Sequence, residues 1–471
     1  MDHKGTPRRG LLHRAARVTA FCVLVTAGAI AHAQARPPLP TVATNANQES
    51  MALAITTLCP NLRRTYIATG GQMPGDQIEL FDACAGTLRA DSGDTSRSIA
   101  LQELTGEELN AATTTTVDFS SLQRADIAAR LVALRQAAGK STLARLSPDD
   151  RNLASLGTGG AAGDEPSALG GRLGVFVNGR LGSGSKDTTD LEAGYDVDGT
   201  GVTVGADYRI DERFVIGAAF SYGSTDTDFD KLKEGGLSGG TFDSDGYSLA
   251  LFGGWNGERS YVDAIASFGQ VDHDSKRRIS YTLGFNAPDP QLGNLTTDWD
   301  ATAVGETESD VLSLGASYGY NFGTGPWSFG PTLAISYLKA DVDGFAETGA
   351  PGLELTYGDQ EGESLQLQAG LDVAYAASMS WGVLSPYARI VFISEQENDS
   401  QVIDVRYSSD PLGTVFGVRS DDPDTSFFRW GIGASALLAN GFAMFLDYDA
   451  IASYDTVDYG EVTLGLRYSF R

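Results

Sequence analysis

Few residues of this chain have the type and spacing to do chemistry. Gly236-Leu237-Ser238-Gly239-Gly240 matches the GxSxG pattern, which places a serine nucleophile on a tight strand-to-helix turn. Here it lies in a Gly-rich stretch between strand-like segments, with no helix after it, and is read as a chance match. Of the four histidines, His3, His13 and His32 fall in the first 33 residues, leaving His273, read as a solvated strand-end residue. No Ser/His/Asp set is therefore expected. Asp196-Val-Asp198-Gly, Asp243-Ser-Asp245-Gly and Asp341-Val-Asp343-Gly offer paired carboxylates beside a Gly turn, part of a Ca²⁺ ligand set. None continues into a full loop, so they are read as ordinary turn residues. No enzyme activity, metal or cofactor is expected.

The first segment explains where the cysteines reside. Arg8, Arg9, Arg14 and Arg17 precede the apolar run VTAFCVLVTAGAI, and Ala31-His32-Ala33 offers a small-x-small cleavage site, so residues 1–33 are expected to be a signal peptide. Cleavage after Ala33 is favoured, with Ala35 the alternative. Removing those residues takes away five basic and one acidic residue, lowering the formal charge from −27 to −31. So acidic a chain repels nucleic acid, which is excluded as a partner. Cys59 and Cys84 are the cysteines left, one in each of two short helical segments. In an oxidising compartment they are expected to form a structural disulfide.

Those helical segments begin the organisation of the mature chain. Leu53, Ile55, Leu58 and Leu62 recur at helical spacing in one stretch, and Ile78, Phe81, Cys84 and Leu88 in the next, separated by GGQMPG. A third helix is expected to start at the capping box Thr105-Gly-Glu-Glu108, and a fourth to hold Phe119, Leu122, Ile127, Leu131 and Leu134. Residues 34–139 thus read as a small helical domain. Residues 140–169, rich in Gly, Ala and Ser, read as a linker.

From residue 170 to 471 the period changes to two. VTVGADYRI, YSLALFGGW, LSLGASYGYNF and LQLQAGLDVAY alternate apolar residues with small polar ones. A soluble sandwich would carry abundant Lys and Glu on the second face; a small polar face suits a water-filled lumen with the apolar face in lipid. No run after the leader reaches eighteen apolar residues, so only strands could cross a bilayer. Short connections at Asp211-Glu212, Asn256-Gly257, Gly323–Gly325, Ala377–Ser380 and Asn440-Gly441 alternate with longer stretches, roughly 182–199, 224–243, 272–308, 340–362, 395–424 and 453–458. That count gives a mainly β fold: a twelve-stranded transmembrane antiparallel β-barrel behind a small α-helical N-terminal domain. VIDVRYSSDP and TVFGVRS, in the fifth long stretch, offer an extra hairpin above the membrane. Trp255, Trp327 and Trp381 each sit beside a short turn, where a periplasmic aromatic girdle would place them. The last strand, with Leu464, Leu466, Tyr468 and Phe470 on one face, must pair with the first, GRLGVFVNGR, to close the barrel.

Residues 170–471 resemble the autotransporter family of type V secretion, through GVFVNGR, LSPYARIVF around Pro386, FRWGIGASALLANGFAMFLDY and the closing LGLRYSF. The resemblance implies an outer-membrane location in a Gram-negative bacterium and a barrel that presents, secretes or retains the short N-terminal domain. It also implies a C-terminal strand read by the barrel assembly machinery, a role that falls on Phe470, although Arg471 follows the aromatic on which the family pattern ends. Esterase passengers of the family carry a GDSL-type block, and Gly93-Asp94-Thr95-Ser96 lacks its serine in place. Outer-membrane lipid, with lipopolysaccharide as a further candidate, and a monomeric state complete the expected partners. A non-secreting porin-like or structural barrel is the alternative reading, and a surface esterase or protease a more remote one. A lumen only about 10 Å wide admits one helix, and two disulfide-tied helices are wider. The helical domain is therefore expected to stay on the short-turn side, docked below the barrel or partly plugging it.

Overall fold

The computed structural model describes residues 38–90, 94–110, 172–231, 238–286, 294–398, 400–438 and 442–470. Its N-terminal part holds helices α1 (Ala46–Ala68), α2 (Gly75–Arg89) and α3 (Asp94–Thr105). Asn45 caps α1 by accepting from the Gln48 N–H at 2.8 Å. Ile55, Leu58 and Leu62 are buried, whereas Leu53, one residue off that stripe, is 54% exposed. Cys59 and Cys84 are bonded to each other, tying α1 to α2 with Cα atoms 5.8 Å apart.

The third helix lies elsewhere than the capping box suggests. Thr105 ends α3, and a short 3₁₀ turn, Glu107–Asn110, follows. Gly106 has φ +71°, the left-handed conformation of a helix-terminating glycine, and a Cβ there would sit 2.5 Å from the Tyr357 hydroxyl. The Thr105 hydroxyl turns to the Glu107 carboxylate instead of a backbone N–H. The expected fourth helix, the signal segment and the linker lie outside the described residues.

The barrel consists of β1 (Leu173–Lys186), β2 (Tyr195–Arg209), β3 (Phe214–Phe229), β4 (Gly240–Asn256), β5 (Ser260–Asn286), β6 (Asn294–Tyr320), β7 (Trp327–Val342), β9 (Gln360–Tyr375), β11 (Gly382–Glu397), β14 (Ser426–Leu438), β15 (Phe442–Ala452) and β16 (Val457–Ser469). Each pairs antiparallel with the next, and β16 pairs with β1 from Gly174↔Ser469 to Lys186↔Val457, closing the sheet. Closure leaves the last strand no free edge. A short β10 (Ala377–Met379) extends one turn as a hairpin with β11.

Several long connections are shorter than the sequence suggests, because the strands run on past the apolar band. At 27 residues each, β5 and β6 extend about 90 Å, several times what a bilayer requires. Above the band stands a second sheet of β8 (Leu355–Tyr357), β12 (Val402–Tyr407) and β13 (Val415–Arg419), ordered β13-β12-β8. The last two are the expected extra hairpin, joined by a strand from the preceding connection. The most extensive apolar core lies here and not within the barrel. Met51, Ile55, Leu58, Leu101 and Leu104 of the helices share it with Leu355, Tyr357, Val405 and Phe416 of the small sheet and Ile279 and Leu283 of β5. The helices therefore pack against the long-connection end. That corrects the expectation of a domain docked below the short turns: their apolar partners are the strand extensions and connections of the opposite end.

Candidate translocation pore and outer-mouth docking site

Strand alternation fixes which side chains line the pore. On β4, Tyr247, Leu249, Leu251 and Trp255 point outward, Leu249 and Leu251 being 64% and 68% exposed, while Ser244, Ser248 and Ala250 point inward and are buried. The outward apolar stretch from Tyr247 to Trp255 covers about 30 Å of strand, which the tilt of a barrel strand reduces to roughly the 25 Å apolar band of such barrels. Trp327 and Trp381 are exposed at the short-turn end and Trp255 is half-buried there; Trp327 packs on Tyr375 at 4.9 Å between centroids. At the chain end, Leu464, Leu466 and Phe470 face outward, and the Tyr468 ring packs at a tilt against Phe442 at 4.8 Å and edge-on against Phe470 at 5.2 Å.

The inner wall is polar and internally paired. Arg467 of β16 reaches across β1 to Asp207 of β2 at 3.0 Å, and passes over Gly174, where a Cβ would lie 2.4 Å from its guanidinium. Arg389 of β11 likewise spans β14 to Asp447 and Asp449 of β15. The expectation of a wholly small and polar inner face needs one amendment: Phe176, Val215, Ala219, Ala250 and Phe252 form a buried apolar cluster on it. His273 is another correction. It is only 2% exposed, with Nδ1 2.8 Å from the Ser244 hydroxyl, Nε2 2.9 Å from that of Ser309, and its ring against Phe242. It faces inward on an extended β5 that the sequence reading ended too early. The Ser238 hydroxyl donates to Glu103 at 2.6 Å and to the Ser280 carbonyl, so its hydrogen bonds join the helical module to the barrel.

The Asp-x-Asp-Gly residues belong to a larger feature. Just above the apolar band, outward-facing carboxylates stand directly opposite one another: Asp198↔Asp226, Asp226↔Asp243, Asp245↔Asp272, Asp272↔Glu308 and Asp310↔Asp341. Among the described residues no three His, Cys, Asp or Glu converge into a group suited to a metal ion.

The docking site is built from both parts. Arg277 of β5 forms a buried pair with Glu347, Nε and Nη2 donating to the two carboxylate oxygens at 2.9 and 2.6 Å, and its Nη1 donates to the Glu103 carbonyl at 3.3 Å. The Glu103 carboxylate accepts from Ser238 and from the Ser280 N–H, and the Tyr407 hydroxyl donates to the Leu104 carbonyl. Burial is the main cause that lifts the Glu103 carboxyl to about 7, opposed by the Ser238 and Ser280 hydrogen bonds. Sequence reasoning missed this site, because the partners of Glu103 lie more than 130 positions away and no local pattern marks them.

A closed, twelve-stranded antiparallel barrel with an apolar outer band and a polar inner wall is an outer-membrane β-barrel. The autotransporter beta-domain family model matches residues 175–449, and the chain belongs to the autotransporter family. It is 27% identical to the esterase EstA of Pseudomonas aeruginosa over 256 residues, which cover 54% of this chain and 36% of that protein. The chain thus spans about a third of the length of the curated relatives it matches first. Among solved structures, the translocator domain of the autotransporter NalP from Neisseria meningitidis is similar at 17% identity and a TM-score of 0.47, covering 68% of this chain and 95% of that one. The beta domain of the Bordetella autotransporter BrkA is similar at 15% identity and a TM-score of 0.42, covering 64% and 100%. The β-domain is a translocator fold and not itself catalytic.

Proposed function

We propose that this protein is an outer-membrane translocator that carries its own short helical module to the cell surface and retains it over the outer mouth of the barrel. One observation carries the reading. Leu104, near the end of the helical part, packs against Tyr407 at the long-connection end, whereas Leu173 opens β1 at the short-turn end, opposite Tyr208. The chain between them joins opposite ends of the barrel, and barrels of this kind keep short turns in the periplasm and long connections outside. The exit from the periplasm is then through the polar lumen. Two bridged helices are too wide for that lumen, so the module crosses before Cys59 and Cys84 join, or crosses unfolded, and folds against β8, β12 and β13.

Further parts of the reading are proposed on the same footing. Residues 1–33 direct export. Leu464, Leu466, Tyr468 and Phe470 form the strand read by the barrel assembly machinery, and Trp255, Trp327 and Trp381 anchor the periplasmic interface. The chain works as a monomer in outer-membrane lipid, with lipopolysaccharide as a further partner and no nucleic-acid partner. The helical module is not an enzyme: residues 34–139 contain no histidine, and their two cysteines are bonded to each other. An epitope inserted after Gly70, in the exposed turn between α1 and α2, tests the reading. Antibody should reach it on intact cells; binding only after the outer membrane is opened would overturn the proposal and restore a periplasmic domain.

A further inference from the structure

We propose that the helical module is held on the barrel mouth by a proton-linked latch: Glu103, Glu107 and Glu108 bring more negative charge into the interface than Arg277 can balance, so docking takes up protons and the module loosens as its surroundings turn alkaline. Arg277 is the guanidinium that reaches this cluster, through the Glu103 carbonyl, and Glu347 already occupies it on two hydrogen bonds. Glu103 and Glu107 are 6% and 2% exposed, and the Glu108 Oε2 atom is buried with no hydrogen-bond partner. A buried carboxylate without a counter-charge stays ionised only at a large desolvation cost, and otherwise holds its proton.

The surroundings on each element give no relief. Besides Arg277, β5 contributes Tyr281, whose hydroxyl is buried; β8 contributes Tyr357 and β12 contributes Tyr407, both neutral phenols. Ser238 and the Ser280 N–H do hydrogen-bond Glu103, which favours its ionised form. Glu107 accepts from Thr105 and Gln102 within its own module.

The sign follows. Burial raises Glu103 to about 7 and raises Glu107 as well, and burial with the neighbouring Glu107 raises Glu108 further. In the undocked module these groups return toward the ordinary value of about 4.5. Docking stability from Glu103 is therefore complete below about 4.5, declines as pH rises, and is lost above about 7, with Glu107 and Glu108 adding losses of the same sign. The latch depends only on the interface, and not on how the module reaches it. It can fail while the translocator reading stands, and the reverse.

The test uses the full-length folded protein in detergent micelles. The rate of protease cleavage in residues 38–110 is measured from pH 5 to 8.5, each rate divided by that on heat-unfolded, reduced protein at the same pH. Wild type should be cleaved at least about tenfold faster at pH 8.5 than at pH 5, with the barrel intact. Glu103→Gln/Glu107→Gln/Glu108→Gln should flatten the profile. Because Glu108 Oε2 makes no hydrogen bond, Glu108→Gln alone disturbs no partner of that atom and should move the midpoint to higher pH even if the triple variant does not fold. A flat wild-type profile, cleavage that slows as pH rises, or an unchanged midpoint in Glu108→Gln would overturn the proposal.

Discussion

The side-chain amide of Asn47 pairs with both main-chain groups of Arg419: the Arg419 N–H donates to Oδ1 at 2.7 Å, and Nδ2 donates to the Arg419 carbonyl at 2.9 Å. One turn later Ser50 Oγ accepts from the Gly417 N–H at 3.0 Å. Residues 417 and 419 alternate along β13, whose other side is paired with β12. Helix α1 thus supplies, from its side chains, hydrogen bonds that a further strand would supply. A bare edge of this kind would be open to pairing with another chain.

Asn47→Ala should therefore loosen the module without touching the barrel. It removes both bonds to Arg419 and one to the Leu191 carbonyl, leaving edge groups exposed to imperfect solvation. A loss of about 1–3 kcal/mol of docking stability is expected. Protease cleavage in residues 38–110 should quicken at constant pH, while the heat-modifiable migration of the barrel stays the same. Unchanged cleavage would mean that the apolar core alone holds the module.

The Cys59–Cys84 bridge closes a segment of sequence separation 25, for which loop-closure entropy gives about 3.5 kcal/mol. Cys59→Ser/Cys84→Ser should lower the melting temperature of the helical module selectively, as followed by the loss of helical circular dichroism. On cells, the same variant should show at least as much surface epitope as wild type, since an early bridge impedes passage through a narrow lumen. Less surface epitope with undiminished total protein would mean that the bridge assists export.

Much of this architecture was legible in the sequence, for identifiable reasons. The period-two pattern of VTVGADYRI or YSLALFGGW reports a lipid-facing wall, because each alternate side chain meets either lipid or lumen. The closure of β16 on β1 follows from the need to leave no edge. Legibility ended where packing is non-local. Strand extensions such as Asp272–Asn286 carry charges outward and bury His273 and Arg277 inward, so hydropathy alone made them look like loops. Thr105-Gly-Glu-Glu108 fitted a helix start, but Gly106 in a left-handed conformation makes it a helix end. Residues 355–357 became a strand only because β12 pairs with them.

The acidic collar makes a prediction about salt. Directly opposed carboxylates such as Asp226↔Asp243 and Asp245↔Asp272 repel at close range, each pair costing up to about 1 kcal/mol. Lys339 offsets this at Asp341 and Glu361, at 3.1 and 3.0 Å, and Lys276 offsets it in part at Asp243. Raising NaCl from 0.05 to 0.5 M contracts the screening length to several ångströms, so the temperature at which the barrel loses its compact migration should rise. Asp226→Asn/Asp245→Asn should raise it at low salt and reduce the salt response. A melting temperature indifferent to salt in wild type would show that the pairs are neutralised by other means.

Phe470 tests the end of the barrel. Its N–H donates to the Leu173 carbonyl at 3.1 Å, fastening the last residue of the wall to the first strand, while its ring, 39% exposed, packs edge-on against Tyr468 and faces outward. Phe470→Asp keeps the backbone bond but places a carboxylate at the rim of the apolar band, where a charge near the interface costs only about 1 kcal/mol or less. Stability of barrels already folded should thus barely change, measured as the temperature at which compact migration is lost. If the strand is read by the assembly machinery through its outward aromatic face, the yield of folded barrel in cells should fall severalfold, and Phe470→Tyr should restore it. A drop in melting temperature as large as the drop in yield would assign Phe470 to barrel stability instead of recognition.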